Sequence, residues 1–360
     1  MKKLFRIIGF GLLLPLFSVG FRYSPRLPLY PGNIYSIDSL LLIADEKQGI
    51  FIYSVAATDT PRLVQTIQQY GVRGVAMKDS TMYIGTWRGV NVYRRASDGS
   101  YDSVYAVYRN AGYDYEDYYV SDTRPLFGCG CNEPVNYTGG TEVSDGGGIG
   151  GSYAIFAILD TFLYVVDNQY LVTFSIAKPD APYRLSYLDV NWSIETIYPM
   201  ESHLYIGGAN GMYIIDRSDG AHPKLSGSVD HFRACDPVVV QDSTAWVTLR
   251  SGGFCGTSSD ELWTVAVTDP YHPQLLHTTA APTPYGLVVR DSLLYVANGN
   301  NGFSLYRVKT GEPLLIKQWA TFAAKDFIWK DTRLFVMAFS AVYIFGIDNP
   351  EEPQLRYTIE

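Results

Sequence analysis

The chain has 360 residues, of which 47% are hydrophobic and 18% charged, and it carries 29 Tyr, 33 Gly and 19 Pro. That is too apolar and aromatic for a disordered chain, and the glycines follow no collagen period. A formal charge of −8 leaves no basic surplus to neutralise phosphates, so nucleic acid is not an expected partner.

Lys2, Lys3 and Arg6 precede an apolar run from Ile7 to Val19, with small residues at Ser18 and Gly20 around its end. Residues 1–20 therefore read as a secretory signal peptide, the run being short of the roughly 20 residues a membrane span needs. No integral span is expected after cleavage. No cysteine precedes Cys129, which excludes a lipid anchor at the cleavage site. Residues 21–33, with Pro25, Pro28 and Pro31, read as an irregular Pro-rich lead-in. The expected address is periplasmic, cell-surface or extracellular, and the protein is not expected to be a lipoprotein.

From residue 34 onward one pattern recurs seven times: an acidic residue, then Ser or Thr, then an apolar-aromatic stretch. The acids are Asp38, Asp79, Asp160, Glu201, Asp242, Asp291 and Asp331, spaced by 41, 81, 41, 41, 49 and 40 residues. Ten or eleven residues after the acid comes a strand that often opens on Gly, as at Gly49, Gly89, Gly211 and Gly302. A Pro-x-Leu element follows in several units, as at Pro223, Pro273 and Pro353. Short runs of β-branched and aromatic residues between turn residues are strand signals, and no helical period of ten residues is present. The acid–Ser pairs read as tight turns between the first two strands, with side chains capping turn amides. Four strands every 40 residues or so, seven times, predict an all-β, seven-bladed β-propeller of four-stranded antiparallel blades over 34–360.

The Asp-Pro-Tyr-His-Pro-Gln-Leu of 269–275 and the Asp-Asn-Pro-Glu-Glu-Pro-Gln-Leu of 348–355 resemble the turn of the LVIVD repeat family. The resemblance covers about 34–360, and the layout is similar to that of exported LVIVD proteins from Bacteroidetes-type bacteria. It implies a propeller outside the cytoplasm and brings no reaction and no catalytic motif. Relatives of this kind are often lipoproteins, and the missing lipobox cysteine is a departure.

Two intervals break the period. The long one reflects an insertion at about 111–152 between units two and three. The shorter reflects one at about 250–260 between the second and third strands of unit five. Propeller connectivity places both on one face, where repeat proteins collect binding insertions. Tyr113, Tyr115 and their acidic neighbours through Tyr119 open the first insertion, and Gly146–Gly151 close it as a flexible return linker. The four cysteines are Cys129, Cys131, Cys235 and Cys255, and an exported chain favours pairing them. Cys235 and Cys255 fall on one face of one blade, so a bridge between them is expected, leaving Cys129 and Cys131 to pair across a single Gly. A zinc site lacks C-x-x-C spacing.

No motif calls for a metal or cofactor: His203, His222, His231, His272 and His277 form no H-E-x-x-H, and no G-x-S-x-G is present. Arg73, Glu195, Asp236, Lys325 and Asp326 start inner strands and should ring the channel mouth beneath the insertions. The plain reading of these charges is a solvated, mutually neutralising rim. Trp192, Arg233, Arg250 and Tyr285 share that face and make a platform suited to an envelope glycan or polypeptide. The expected function is a non-enzymatic exported binding or scaffold module. The alternative is an envelope polysaccharide hydrolase or lyase using Glu195 and Asp236 as acid and base.

Overall fold

A computed structural model of the protein describes residues 29–56, 60–108, 149–191, 193–231, 237–251, 260–308 and 311–360. The expected signal peptide, residues 111–148 of the insertion, all four cysteines, Tyr113, Tyr115, Trp192, Arg233 and Asp236 lie outside the described residues.

The described chain forms seven antiparallel sheets of four consecutive strands, one of which accepts a fifth. These are the seven expected blades, and the described residues contain no helix. The inner strands are Pro31–Ile37, Val72–Lys78, Phe156–Leu159, Ile194–Pro199, Val238–Gln241, Leu287–Arg290 and Asp326–Lys330. Burial follows from the stacking of blades. Second strands are covered on both sides by neighbouring blades, so Leu40–Asp45 and Thr81–Thr86 are buried almost throughout. Outermost strands such as Arg62–Ile67 alternate between exposed and covered positions, the pattern of a sheet wet on one side.

The seven acids sit in the turns between first and second strands, as the spacing predicts, but the reason differs from capping. Asp38, Asp79, Asp160, Asp242, Asp291 and Asp331 themselves adopt left-handed backbone, with φ between 47° and 55°. Asp is among the few non-glycine residues that enter this region at modest cost. Glu201 is the exception, and its blade makes a wider turn in which the Met200 amide reaches the His203 carbonyl at 2.8 Å. In every blade the Ser or Thr after the acid offers its carbonyl to an amide at or just past the end of the third strand, from Val55 to Ser39 through Ile347 to Thr332.

Tyrosine joins blade to blade. Tyr83, Tyr164 and Tyr295, all on second strands and fully buried, donate to Pro179, Gly220 and Pro350 carbonyls in the next blade's outer turn. Nearer the axis, Tyr35 and Tyr198 donate to the Met77 and Val240 carbonyls of the following inner strands. Along the turn face Lys78, Gln241, Arg290 and Lys330 each reach the carbonyl of the next blade's acid.

The last of these contacts closes the ring. The four consecutive strands of blade one are N-terminal and those of blade seven C-terminal, so the two meet without exchanging a strand. Lys330 Nζ lies 2.7 Å from the Asp38 carbonyl, and the Arg333 guanidinium reaches the Val55 carbonyl. Between them Ile34, Leu41 and Ile43 pack on Ile328, Phe335 and Met337. The first strand begins at Pro31, inside the expected lead-in, because Pro is tolerated at the first residue of a strand.

The return from the long insertion departs from expectation. Ile149–Gly150 is a strand that pairs with Ser36 and Tyr35 on the axial edge of blade one. Within the described part, the expected flexible linker is therefore an ordered strap that climbs the channel. Gly150–Ala154 are buried.

Candidate functional site at the channel mouth

The strap ends among the charges that the sequence places at the mouth. Ser152 amide and Oγ both donate to Asp326 Oδ1 at 2.8 Å, and the Tyr153 amide approaches Oδ2 at 3.4 Å. Ser152 Oγ in turn accepts the Leu287 amide at 2.8 Å, binding blades six and seven to the strap. Asp326 is fully buried, so its carboxylate spends its lone pairs on the chain itself. Gly151 is the one residue type that fits: a Cβ there would stand 2.1 Å from Asp326 Oδ2 and 2.7 Å from the Phe327 carbonyl oxygen.

Around this plug the inner strands present Glu195, Arg73 and Lys325. Glu195 and Arg73 each occupy the extra position of a bulge at the start of an inner strand, between Ile194 and Thr196 and between Val72 and Gly74. A bulge re-aims one side chain without ending the ladder. Arg73 pairs with Asp167 of blade three at 3.5 Å. Glu195 and Lys325 are 7% and 6% exposed, and Asp326 is 0% exposed, so the reading of a solvated rim is corrected to a largely buried polar cluster. The mouth is deeper than strand starts imply because the strap fills its centre.

Arg250 and Tyr285 are brought together as one unit. The Arg250 guanidinium lies 4.1 Å from the Tyr285 ring centroid and donates to its hydroxyl at 3.2 Å. Tyr285 meets Phe339 edge to face at 5.8 Å, and Lys325 Nζ stands 5.7 Å from that Phe339 ring. Tyr153 completes the cluster. Its phenol is buried with no hydrogen-bond partner among the described residues, and burial pushes its pKa well up, with Arg250 opposing and Asp326, Tyr285 and Glu195 reinforcing the shift. Such a group is a poor base and a costly orphan.

Sequence reasoning missed Tyr153 and the strap. The signal was present: residues 149–155 are surplus to the repeat, since the third unit's first strand starts only at Phe156. Below the strap the channel continues as a cavity of about 290 Å³, lined by Tyr198, Val240, Leu287, Phe327 and Trp329 and roofed by Gly150–Ser152.

The fold and mouth define a seven-bladed β-propeller whose axial channel is closed by its own chain. A family model described as the LVIVD repeat matches residues 200–231, so blade four carries this repeat within the seven-bladed propeller. No curated protein matches the chain. Among solved structures it is similar to the periplasmic gluconolactonase of Pseudomonas aeruginosa, at 12% identity and a TM-score of 0.62 over 91% of this chain and 96% of that one. It is also similar to a putative 6-phosphogluconolactonase of Bacteroides fragilis, at 10% identity and 0.61 over 91% and 95%. The computationally designed Ika8 protein matches at 10% identity and 0.59 over 92% and 87%. At such identities the likeness is one of fold.

Proposed function

We propose that the protein is an exported, non-enzymatic binding module that meets its partner, an envelope protein or glycan, on the face carrying both insertions. One observation carries this reading: the strap and Asp326 engage each other beneath that face, so a partner arriving there meets a closed floor. Arg250, Tyr285, Glu195 and Lys325 crowd around that floor, beside the chain ends that lead into both insertions.

The hydrolase or lyase reading keeps Glu195, which its bulge directs toward the mouth, with Asp236 as partner. The gluconolactonase names of two structural neighbours suggest sugar-derived substrates for its screen. The expected result is no turnover of gluconolactones or envelope glycans by the wild type. Turnover lost in Glu195→Gln and Asp236→Asn would replace the binding reading.

The binding reading is tested by exchanging residues 111–147 for a Gly/Ser linker of about a dozen residues, which spans up to roughly 40 Å extended. Residues 149–155 stay in place because the strap is structural. The expected outcome is a folded propeller that loses the envelope bands captured by wild type, with Arg250→Glu losing the same bands. A capture pattern unchanged in both variants would refute it.

A further inference from the structure

A second set of side chains on the insertion face, away from the mouth, belongs to blades one and two. Tyr70, Trp87 and Tyr30 are 72%, 51% and 51% exposed, on an acidic molecule whose other large aromatics are mostly buried. They stand on connected, internally braced loops. The buried Asp45 carboxylate accepts the amides of Tyr30, Lys47 and Gln48, each at 2.9 Å, and Gln48 Nε2 at 3.0 Å. The Glu46 carbonyl then takes the Gly71 amide at 2.7 Å, joining this turn to the loop that carries Tyr70. Asn91 holds that loop through Gln69 at 3.0 Å. Gly71, at φ 72°, lies so close under the indole that a Cβ would stand 2.5 Å from Trp87 Cδ1. Thr86 Oγ1 accepts the Arg88 amide and donates to the Gly89 carbonyl, both at 3.2 Å. Two cations complete the set: the Arg88 guanidinium lies 4.4 Å from the Trp87 centroid and Lys47 Nζ 5.8 Å from that of Tyr30.

Exposed Trp, Tyr and Arg on rigid loops are the residues that dominate protein interfaces, because little side-chain entropy is left to lose. Arg88 over the indole also chooses the partner. A pyranose stacks on a bare aromatic face, whereas this indole shares its face with a guanidinium and backs onto Gly71. A carboxylate beside an apolar side chain uses the cation and the open indole edge together. Asp45 is buried and its carboxylate is engaged by four donors, which leaves Lys47 and Arg88 against Glu46 at the exposed surface. We infer that Tyr30, Lys47, Tyr70, Trp87 and Arg88 form a pre-organised docking patch for an acidic polypeptide segment. This rests on the insertion face being the working face, but on different residues from the mouth.

The probe is a fluorescein-labelled random copolymer of Glu and Tyr, titrated with the full protein, with polygalacturonate as the acidic glycan arm. Saturable copolymer binding should weaken about tenfold or more in Trp87→Ala and about fivefold in Arg88→Ala, and should fade with added salt. Both side chains are exposed, so unchanged thermal unfolding in these variants establishes that folding is intact. No saturable binding at about 100 µM protein, or binding indifferent to both substitutions, overturns the patch. Polygalacturonate binding of equal strength, lost in the same variants, reassigns it to glycan. The loop-exchanged protein retains all five residues and should still bind the copolymer, which separates failure of this inference from failure of the binding reading above.

Discussion

At the turn face of the propeller the same contacts recur blade after blade, whereas at the insertion face the side-chain contacts differ from blade to blade. A shared backbone bond, from the residue past the outer strand to the loop between second and third strands, does recur there in blades three to five. On the turn side, acids in left-handed turns, the Ser or Thr carbonyl they expose, and Tyr hydroxyls reaching into the next blade are repeated around the ring. On the other side, bulges re-aim Arg73 and Glu195 in only some blades, and Arg250 folds over Tyr285 in one. A strap found nowhere else in the repeat fills the axis. Repetition is what closes a ring of like units, so its contacts must be alike. Recognition needs one arrangement in one place, so its residues have no reason to repeat. On the binding reading proposed above, the division between structure and function in this molecule is also a division between its two ends.

The sharpest way to break that division is at Asp326, where the unrepeated side is itself structural. Replacing it with Ala removes the acceptor of the Ser152 amide and hydroxyl and of the Tyr153 amide, all in buried surroundings. Leaving such donors unsatisfied should cost about 3 kcal/mol or more in urea unfolding at neutral pH. A loss under about 1 kcal/mol would mean that the strap is not held by this carboxylate.

The same asymmetry governs what could be read from the chain. Spacing of the acids located seven blades because six Asp-Ser or Asp-Thr pairs answer an identical backbone demand and Glu201-Ser202 holds the same place in a wider turn. Tyr83, Tyr164 and Tyr295 were legible as core for the same reason, although their hydroxyl partners were not. The strap escaped because Gly146–Gly151 resembles a linker in composition. Only a three-dimensional fact, the 2.1 Å between a Gly151 Cβ and Asp326 Oδ2, reveals that its glycine is there for close approach. Glu195 and Lys325 were found by position and misjudged in burial, since nothing local announces that another segment will cover them. Trp87 and Tyr70 carried no sequence signal separating them from the many buried aromatics.

Two tyrosine-to-phenylalanine exchanges should then give opposite signs. Tyr164 belongs to the repeated system: its hydroxyl donates to the Gly220 carbonyl at 2.8 Å and accepts Arg217 Nε at 3.1 Å. Arg217 is nearly buried and also pairs with Asp160 at 2.6 Å, so Tyr164→Phe strips one of its partners. A loss of about 1–2 kcal/mol is expected. Tyr153 belongs to the unrepeated system, and its buried hydroxyl has no partner among the described residues. Tyr153→Phe should be neutral or stabilising by up to about 1 kcal/mol. Urea midpoints of both variants beside wild type check the pair, and a clear loss for Tyr153→Phe would place a bound water or other partner on the phenol.

The smallest effect tests whether the repeated turns are interchangeable in chemistry as well as shape. In blade five the Asp269 carboxylate accepts the Tyr271 amide at 2.9 Å and His272 Nδ1 at 2.8 Å, and these bonds, the histidine first, hold its pKa below 3.8. In blade seven Asn349 performs the turn, accepting the Glu351 amide at 3.1 Å with a group that does not titrate. A depressed carboxylate contributes stability that is full above its unfolded pKa and is lost as pH falls through the folded value. Asp269→Asn should thus leave the urea midpoint slightly below wild type at pH 7, where only the bond to His272 is weakened. As pH falls through the depressed folded value the wild type surrenders its advantage, so the gap should close on acidification. A gap that stays constant on acidification would show that the advantage of the acid in this turn does not come from the charge of its carboxylate.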